Sequence, residues 1–244
     1  MSEALRVLIT RPAAQGAALA ERLNALDFET NLVPLLEIVP LELKDPVNIA
    51  PTIIFISANA VRCALPSLRD LGIDLSTKNI FAMGPATAQA IQQMGLSVEL
   101  AEAGFRSEDL LQKLQGIQTT DKKVTIICGM GGRGLLQDGL QAMGYQVNRL
   151  EVYRRMPAAG VQSALLNIEE NKRPDIISLM NQESLKLLHQ YIGELDLDSW
   201  KSIPVVVPSS RIDKTANDLG FLQVFCQLDP TESSLIDFLT QFSS

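Results

Sequence analysis

The sequence predicts an α/β protein, parallel sheets with helices on both faces. Three observations carry that prediction. Short apolar runs alternate with helical patterns along the chain. The stretch "RVLITRPAAQGAALAERLNALDFETNLVPL" (6–35) lies without a gap over "KVTIICGMGGRGLLQDGLQAMGYQVNRLEV" (123–152). The segments after each copy echo one another in the same order.

In the paired stretches Val7, Ile9, Leu19, Leu23, Ala25 and Asn31 recur as Val124, Ile126, Leu136, Leu140, Ala142 and Asn148. Arg6/Lys123, Glu21/Asp138 and Phe28/Tyr145 are chemically similar pairs. Both copies read as a short apolar strand, a helix with apolar positions three or four apart, and a second strand. Next, "PTIIFISANAVRCAL" (from Pro51) matches "PDIISLMNQESLKLL" (from Pro174), each a strand leading into a helix. "NIFAMGPATAQAIQQMGL" (from Asn79) matches "PVVVPSSRIDKTANDLGF" (from Pro204), and "SEDLLQKL" matches "TESSLIDFL". Ser107 and Thr231 read as N-caps with an acid just inside the helix. The extended segments "LLEIVPLEL" (35–43) and "NRLEVYRRMP" (148–157) end the two βαβ units and are candidates for a connection between domains. Two domains of about 100–120 residues fit the length, and the repeat alone divides the chain near residue 118.

Composition bounds the function. An apolar fraction of 46% and a charged fraction of 20% suit an ordinary globular protein. No apolar run approaches the ~20 residues of a membrane span, and "MSEALRVLIT" lacks a secretory pattern, so a cytoplasmic protein is expected, without membrane association. Cys63, Cys128 and Cys226 are far apart and lack metal-ligand spacing; they read as reduced thiols. A net charge of -7 argues against nucleic acid as a main partner, but not against small anions in a locally positive cleft. The one histidine, His189, lies in a helical stretch without a visible partner and reads as structural.

The run "CGMGGRG" (128–134) fits G-x-G-x-x-G at Gly129, Gly131 and Gly134, with Glu151 near the place of a ribose-binding acid. Its repeat counterpart is "PAAQGA" (12–17), where the three glycines become Pro12, Ala14 and Ala17. The same turn is thus built elsewhere without them, and a dinucleotide is not required. Arg133 suits an anion at the helix start; the bland alternative is a glycine-rich turn with a solvated arginine.

Ligands in open parallel sheets bind beyond the C-terminal strand ends. There the chain offers Arg11, Ser57, Asn59, Thr87, Arg133, Ser178, Asn181, Ser209, Ser210 and Arg211. This inventory is rich in hydroxyl, amide and guanidinium groups and poor in carboxylates. It suits a ligand with several carboxylates or phosphates and not metal catalysis; singly, each Ser, Thr or Asn also fits helix capping. Tyr153, in "EVYRR", can donate a proton at neutral pH or serve as an amphipathic wedge at a domain junction. Trp200 reads as packing.

These stretches together resemble the uroporphyrinogen-III synthase family. The resemblance runs in order through "LITRPAAQGAALAERLNALDFE…PLLEI", "IIFISANAV", "MGPATAQAIQQMG", "SEDLL", "CGMGGRGLLQDGLQAMGYQVNRLEVYRR" and "SSRIDKTANDLGF". It implies two flavodoxin-like, doubly wound parallel-sheet domains joined by a two-stranded ladder. The first domain would be discontinuous, 1–37 plus 155–244, and the second 38–154. The implied enzyme is a cyclising lyase of porphyrin and heme biosynthesis with no cofactor and no metal. It closes hydroxymethylbilane, a linear tetrapyrrole with eight carboxylates, to uroporphyrinogen III, inverting ring D and losing water. That substrate is reactive and closes unaided to the wrong isomer, so positioning and electrostatics suffice. By motif, Tyr153 is implied to assist water loss. Arg11, Ser57, Asn59, Gly84, Thr87, Gly131, Arg133, Ser178, Ser210 and Arg211 are the candidate substrate contacts. A monomer is expected, and hydroxymethylbilane synthase is the protein partner implied. The chain departs from the family in having Ile56-Ser57 where Thr-Ser is frequent, and Met180-Asn181 in the second copy. Likewise "GPATA" (84–88) becomes "PSSRI" in the other half. The rival readings are a nicotinamide-dependent oxidoreductase, resting on the glycine run and Glu151, and a non-catalytic two-lobed binder of small anions.

Overall fold

The computed structural model describes residues 4–44, 47–100, 107–116, 121–131, 134–227 and 231–243. The chain opens with β1 (Arg6–Ile9), α1 (Ala13–Asn24) and β2 (Glu29–Leu32), followed by an extended β3 (Leu36–Pro40). Next come β4 (Thr52–Phe55), α2 (Ala58–Asp70), β5 (Asn79–Ala82), α3 (Pro85–Gln93), β6 (Glu99–Leu100) and α4 (Ser107–Gly116). The second βαβ unit is β7 (Lys123–Gly129), α5 (Leu135–Ala142) and β8 (Gln146–Pro157). The chain continues through α6 (Val161–Asn171), β9 (Ile176–Ser178), α7 (Gln182–Glu194) and a 3-10 turn (Asp198–Ser202). Then follow β10 (Val205–Val207), α8 (Ser210–Asp218), β11 (Val224–Cys226) and α9 (Glu232–Phe242). The gap-free repeat therefore falls on β1-α1-β2 and β7-α5-β8.

Contacts gather Met1–Glu37 with Met156–Ser244 into one compact unit and Ile38–Arg155 into another. This division does not follow the repeat boundary, because the two halves exchange partners. In the first unit the strand order is β11-β10-β9-β1-β2, all parallel, so the early βαβ pairs with late strands. In the second unit the order is β3-β8-β7-β4-β5-β6, so the late βαβ pairs with early strands. Read from β2 or from β8, each parallel set has the doubly wound flavodoxin arrangement. The strand β3 lies antiparallel to β8: Ala158 N donates to Leu35 O and Leu41 N to Val152 O. The chain passes between the units within these two strands.

Each sheet is covered on both faces, and the period of two along its strands assigns the side chains. In the first unit Leu8, Ile177, Val205 and Val207 join the core under α6, α7 and α8, with Trp200 fully buried there. Val7, Ile9, Ile176 and Val206 face the opposite core with Leu19, Leu23, Leu235 and Leu239 of α1 and α9. In the second unit Ile53, Phe55, Ile80, Ala82 and Ile127 pack with α2 and α3. Ile54, Phe81, Val124, Ile126 and Cys128 pack with α4 and α5. All three cysteines are free; burial pushes the Cys128 thiol up, with Arg149 pulling the other way. No helix among the described residues is long and apolar enough to cross a membrane.

Candidate active site

In the second unit the helical connections leave β7 and β4 in opposite directions along the sheet, which makes their C-terminal ends its topological switch point, the place where sheets of this kind bind ligands. Ser57 follows β4 there, and Gly129 ends β7. Tyr153 comes from β8 and lies across both.

A β-bulge sets the tyrosine in place. Along the β7–β8 pair the register runs Cys128 opposite Glu151 and then Gly129 opposite Tyr153, leaving Val152 as the extra residue. A bulge breaks the alternation of faces. Consequently Val152 and Tyr153, neighbours in sequence, are both buried in the same core cluster. The Met130 N–H then donates to the Tyr153 carbonyl at 2.8 Å.

The Tyr153 ring rests on the backbone of Gly129. A Cβ at that residue would overlap ring carbons and the phenol oxygen. The Tyr153 Oη lies 3.2 Å from Ser57 Oγ and accepts from Arg155 Nη2 at 3.1 Å. The Arg155 guanidinium carbon also stands 5.5 Å from the ring centroid, within cation–π range. Ser57 is held in turn as the N-cap of α2: its backbone is extended and its Oγ accepts from Ala60 N–H at 3.1 Å. Asn181 does the same for α7, accepting from Ser184 N–H at 2.8 Å. The repeat thus preserves the cap while changing the side chain.

The glycine run has its own reasons for glycine. Gly129 makes room for a tyrosine ring, and Gly131 has φ +76°, a turn conformation that favours glycine. Gly134 is the N-cap of α5. Glu151 accepts from Arg149 at 3.3 Å, an ion pair along its own strand. None of these features calls for a pyrophosphate. Arg133 lies outside the described residues, as does the side chain of Ser107.

The remaining candidates sit at strand ends in two groups. Asn59 is half-buried in the first turn of α2. Gly84 is the N-cap of α3 and offers no side chain to a helix whose next residue is Pro85. Thr87 is buried in that helix's first turn. In the other unit Arg11 follows β1, but its guanidinium meets Glu232 Oε1 at 2.6 Å, and Glu232 also pairs with Arg22. Ser178, the last residue of β9, is 0% exposed, and its Oγ is buried without a hydrogen-bond partner. Ser210 and Arg211 are exposed at the start of α8. No group of three or more His, Cys, Asp or Glu side chains placed to hold a metal occurs among the described residues. Sequence reasoning passed over Arg155, although the i, i+2 spacing in "YRR" was the signal that could have placed it beside Tyr153.

Comparisons with known proteins agree with this architecture. A family model described as Uroporphyrinogen-III synthase HemD matches residues 17–237. The chain is 26% identical over 232 residues to the uroporphyrinogen-III synthase of Escherichia coli (strain K12), covering 90% of this chain and 94% of that protein. It is 32% identical over 161 residues to that of Proteus mirabilis, covering 62% of this chain and 81% of that protein. Two solved structures share the fold. One is uroporphyrinogen-III synthetase from Helicobacter pylori 26695, with a TM-score of 0.62 and 15% identity, covering 98% of this chain and 99% of that one. The other is a mutant uroporphyrinogen III synthase from Thermus thermophilus, with a TM-score of 0.60 and 17% identity over the same shares, 98% and 99%. Because the family match runs through both units instead of resting on the glycine run, the chain belongs to the uroporphyrinogen-III synthase family.

Proposed function

We infer that this chain closes hydroxymethylbilane to uroporphyrinogen III, inverting ring D and releasing water, and that Tyr153 supplies the proton for the departing hydroxyl. Membership of the family makes it a cofactor-independent cyclising lyase. The observation that supports the residue assignment is the Tyr153 phenol at the sheet's switch point, with Ser57 on one side and Arg155 on the other.

The step balances simply. The hydroxymethyl C–O bond breaks as the phenol proton passes to the leaving oxygen, and water departs. The pyrrole nitrogen supplies the electron pair and keeps its proton, leaving a cationic azafulvenium. Ring D attacks through its already substituted carbon, and the spiro intermediate fragments and recloses. The proton lost when the last pyrrole is restored returns to Tyr153. A positioned general acid of this kind contributes about 10²–10⁴-fold in rate. The helix starts at Ser57 and Gly84 offer amides and hydroxyls to substrate carboxylates. In the other unit Arg11 would first have to leave Glu232.

On this reading residues 1–37 with 155–244 and residues 38–154 are the two domains of a monomeric cytoplasmic enzyme, fed by hydroxymethylbilane synthase. The test is incubation of purified protein with fresh hydroxymethylbilane, followed by oxidation and separation of the uroporphyrin isomers. Isomer III is expected to predominate. Isomer I alone, at the uncatalysed rate, rejects the activity.

A further inference from the structure

We propose that the proton reaching the departing hydroxyl leaves from Ser57 Oγ, and that Tyr153 acts from behind it by refilling the serine. The inference rests on the reading of Tyr153 as the proton source, and it makes Ser57 the group that touches the reacting atom. Tyr153 is 1% exposed. Its ring lies on the Gly129 backbone, and its hydroxyl meets Ser57 and Arg155. A substrate oxygen has no way to Oη while these neighbours stay in place. Ser57 is half-buried and follows β4 at its C-terminal end. Of the phenol's two hydrogen-bond partners among the described residues, Ser57 alone is a hydroxyl, able to accept one proton while giving another away.

The hydrogen-bond capacities fit this relay. A guanidinium only donates, so Arg155 Nη2 occupies a lone pair of Oη and cannot take the phenol proton. Arg155 has a further interaction besides the phenol, so more than Oη holds it. Ser57 Oγ brings one proton and two lone pairs. One lone pair takes the Ala60 N–H at 3.1 Å, the cap of α2. The second can take the phenol O–H, which leaves the serine proton to point away from both. In the free protein either oxygen can donate across the 3.2 Å between them. With a leaving hydroxyl bound, the serine proton turns to it and the phenol becomes the donor. That distance is long for two hydroxyls, and catalytic hydrogen bonds of this kind tighten in the loaded complex.

The step balances. The Ser57 O–H bond breaks as its proton passes to the leaving oxygen. The hydroxymethyl C–O bond breaks with the pyrrole nitrogen's electron pair behind it. In the same movement the Tyr153 O–H bond breaks, and its proton restores the serine. Water departs, and the phenolate oxygen keeps its hydrogen bond from Arg155. On closure the proton released by the last pyrrole enters at Ser57, and the serine proton returns to Oη. Capping alone does not call for a serine here. In the other unit Asn181 caps α7 through the Ser184 N–H at 2.8 Å, without a hydroxyl.

The test compares the wild type with Ser57→Asn, Ser57→Thr, Tyr153→Phe and the Ser57→Asn/Tyr153→Phe double variant. Urea unfolding reads the cap, and isomer III kinetics separate KM from kcat. Asparagine keeps a cap, as Asn181 does, but has no hydroxyl to pass a proton; threonine keeps both. Ser57→Asn should hold the urea midpoint and lose about 10²-fold in kcat, the scale of a general acid, with little change in KM. Ser57→Thr should recover about tenfold of that loss or more. The double variant should fall no further than its slower parent, because either change breaks the same relay. Near-normal kcat in Ser57→Asn overturns the proposal, since Tyr153 would then deliver its proton directly. So do losses that multiply in the double variant, or a Ser57→Thr enzyme no faster than Ser57→Asn. Full turnover by Tyr153→Phe removes the proton-source reading itself, an outcome distinct from all of these.

Discussion

The ring of Tyr153 occupies the space that a Cβ on Gly129 would need. The two residues face each other across the β7–β8 pair, immediately after the bulge at Val152. The Gly129 backbone is therefore the bed on which the candidate proton donor lies.

Gly129→Ala should act on that bed. The added methyl meets a buried ring instead of a flexible chain end, so overpacking of about 1–3 kcal/mol is expected. The displaced ring also takes Oη away from Ser57, so turnover should fall by about tenfold or more on the scale of misplaced catalytic groups. Urea unfolding and isomer III formation on the same preparation check both parts.

Tyr153→Phe separates chemistry from packing. The ring stays, and the lost contacts at Oη are one to Ser57 and one to Arg155. Stability should change by about 1 kcal/mol or less, the net size of such contacts. Turnover should fall by about 10²-fold or more, as for loss of a general acid, with KM nearly constant. Isomer-resolved kinetics give the answer.

Ser57→Ala removes a cap and a contact to the phenol together. The cap alone is worth about 1 kcal/mol, and Asn181→Ala should cost a similar amount in the other unit, since Asn181 caps α7 through Ser184 in the same way. Ser57→Ala should additionally lower turnover. Urea midpoints for both variants, with kcat for Ser57→Ala, test this.

Acid should loosen the first unit through Asp175. Arg6 holds that carboxylate by its backbone N–H at 2.9 Å, its Nε at 3.0 Å and its Nη2 at 2.8 Å. The Arg6 side-chain hydrogen bond, chiefly, pulls the carboxyl below its ordinary value against some desolvation. A carboxyl lowered in the folded state stabilises the protein above the ordinary range near ~3.9. That contribution fades as pH falls through this range and is gone below the depressed value, because there the unfolded chain binds more protons. Asp175→Asn should lower the urea midpoint at neutral pH and flatten its fall as the pH drops through the ordinary carboxylate range.

Much of this was legible in the sequence, for identifiable reasons. Strand and helix periods are local, so the gap-free repeat landed on β1-α1-β2 and β7-α5-β8. Thr231 caps α9 as its residue type suggests, accepting from Ser234 N–H at 3.3 Å. Tyr153 and Ser57 could be picked out as chemistry-bearing side chains beside strand ends, but nothing local announces that they touch across 96 positions. The bulge was hidden because "LEVYRR" has the same pattern with or without an extra residue; only its partner β7 reveals the slip. Gly129 invited a phosphate-binding reading because a glycine does not say what lies on it. The ion pair of Arg11 with Glu232 likewise depends on α9 returning beside β1.

The exchange of strands between the halves also orders events during synthesis. Val7, Leu8 and Ile9 of β1 are fully buried, and one neighbour of that strand is β9. At roughly 5–20 residues per second, β1 leaves the ribosome on the order of ten seconds before β9 exists. Residues 38–155 need no later strand to finish their sheet. The middle of the polypeptide can thus be complete while its head waits, sticky and half-clothed, for its tail. Nascent-chain crowding and chaperone demand should concentrate on that opening hairpin-sized stretch.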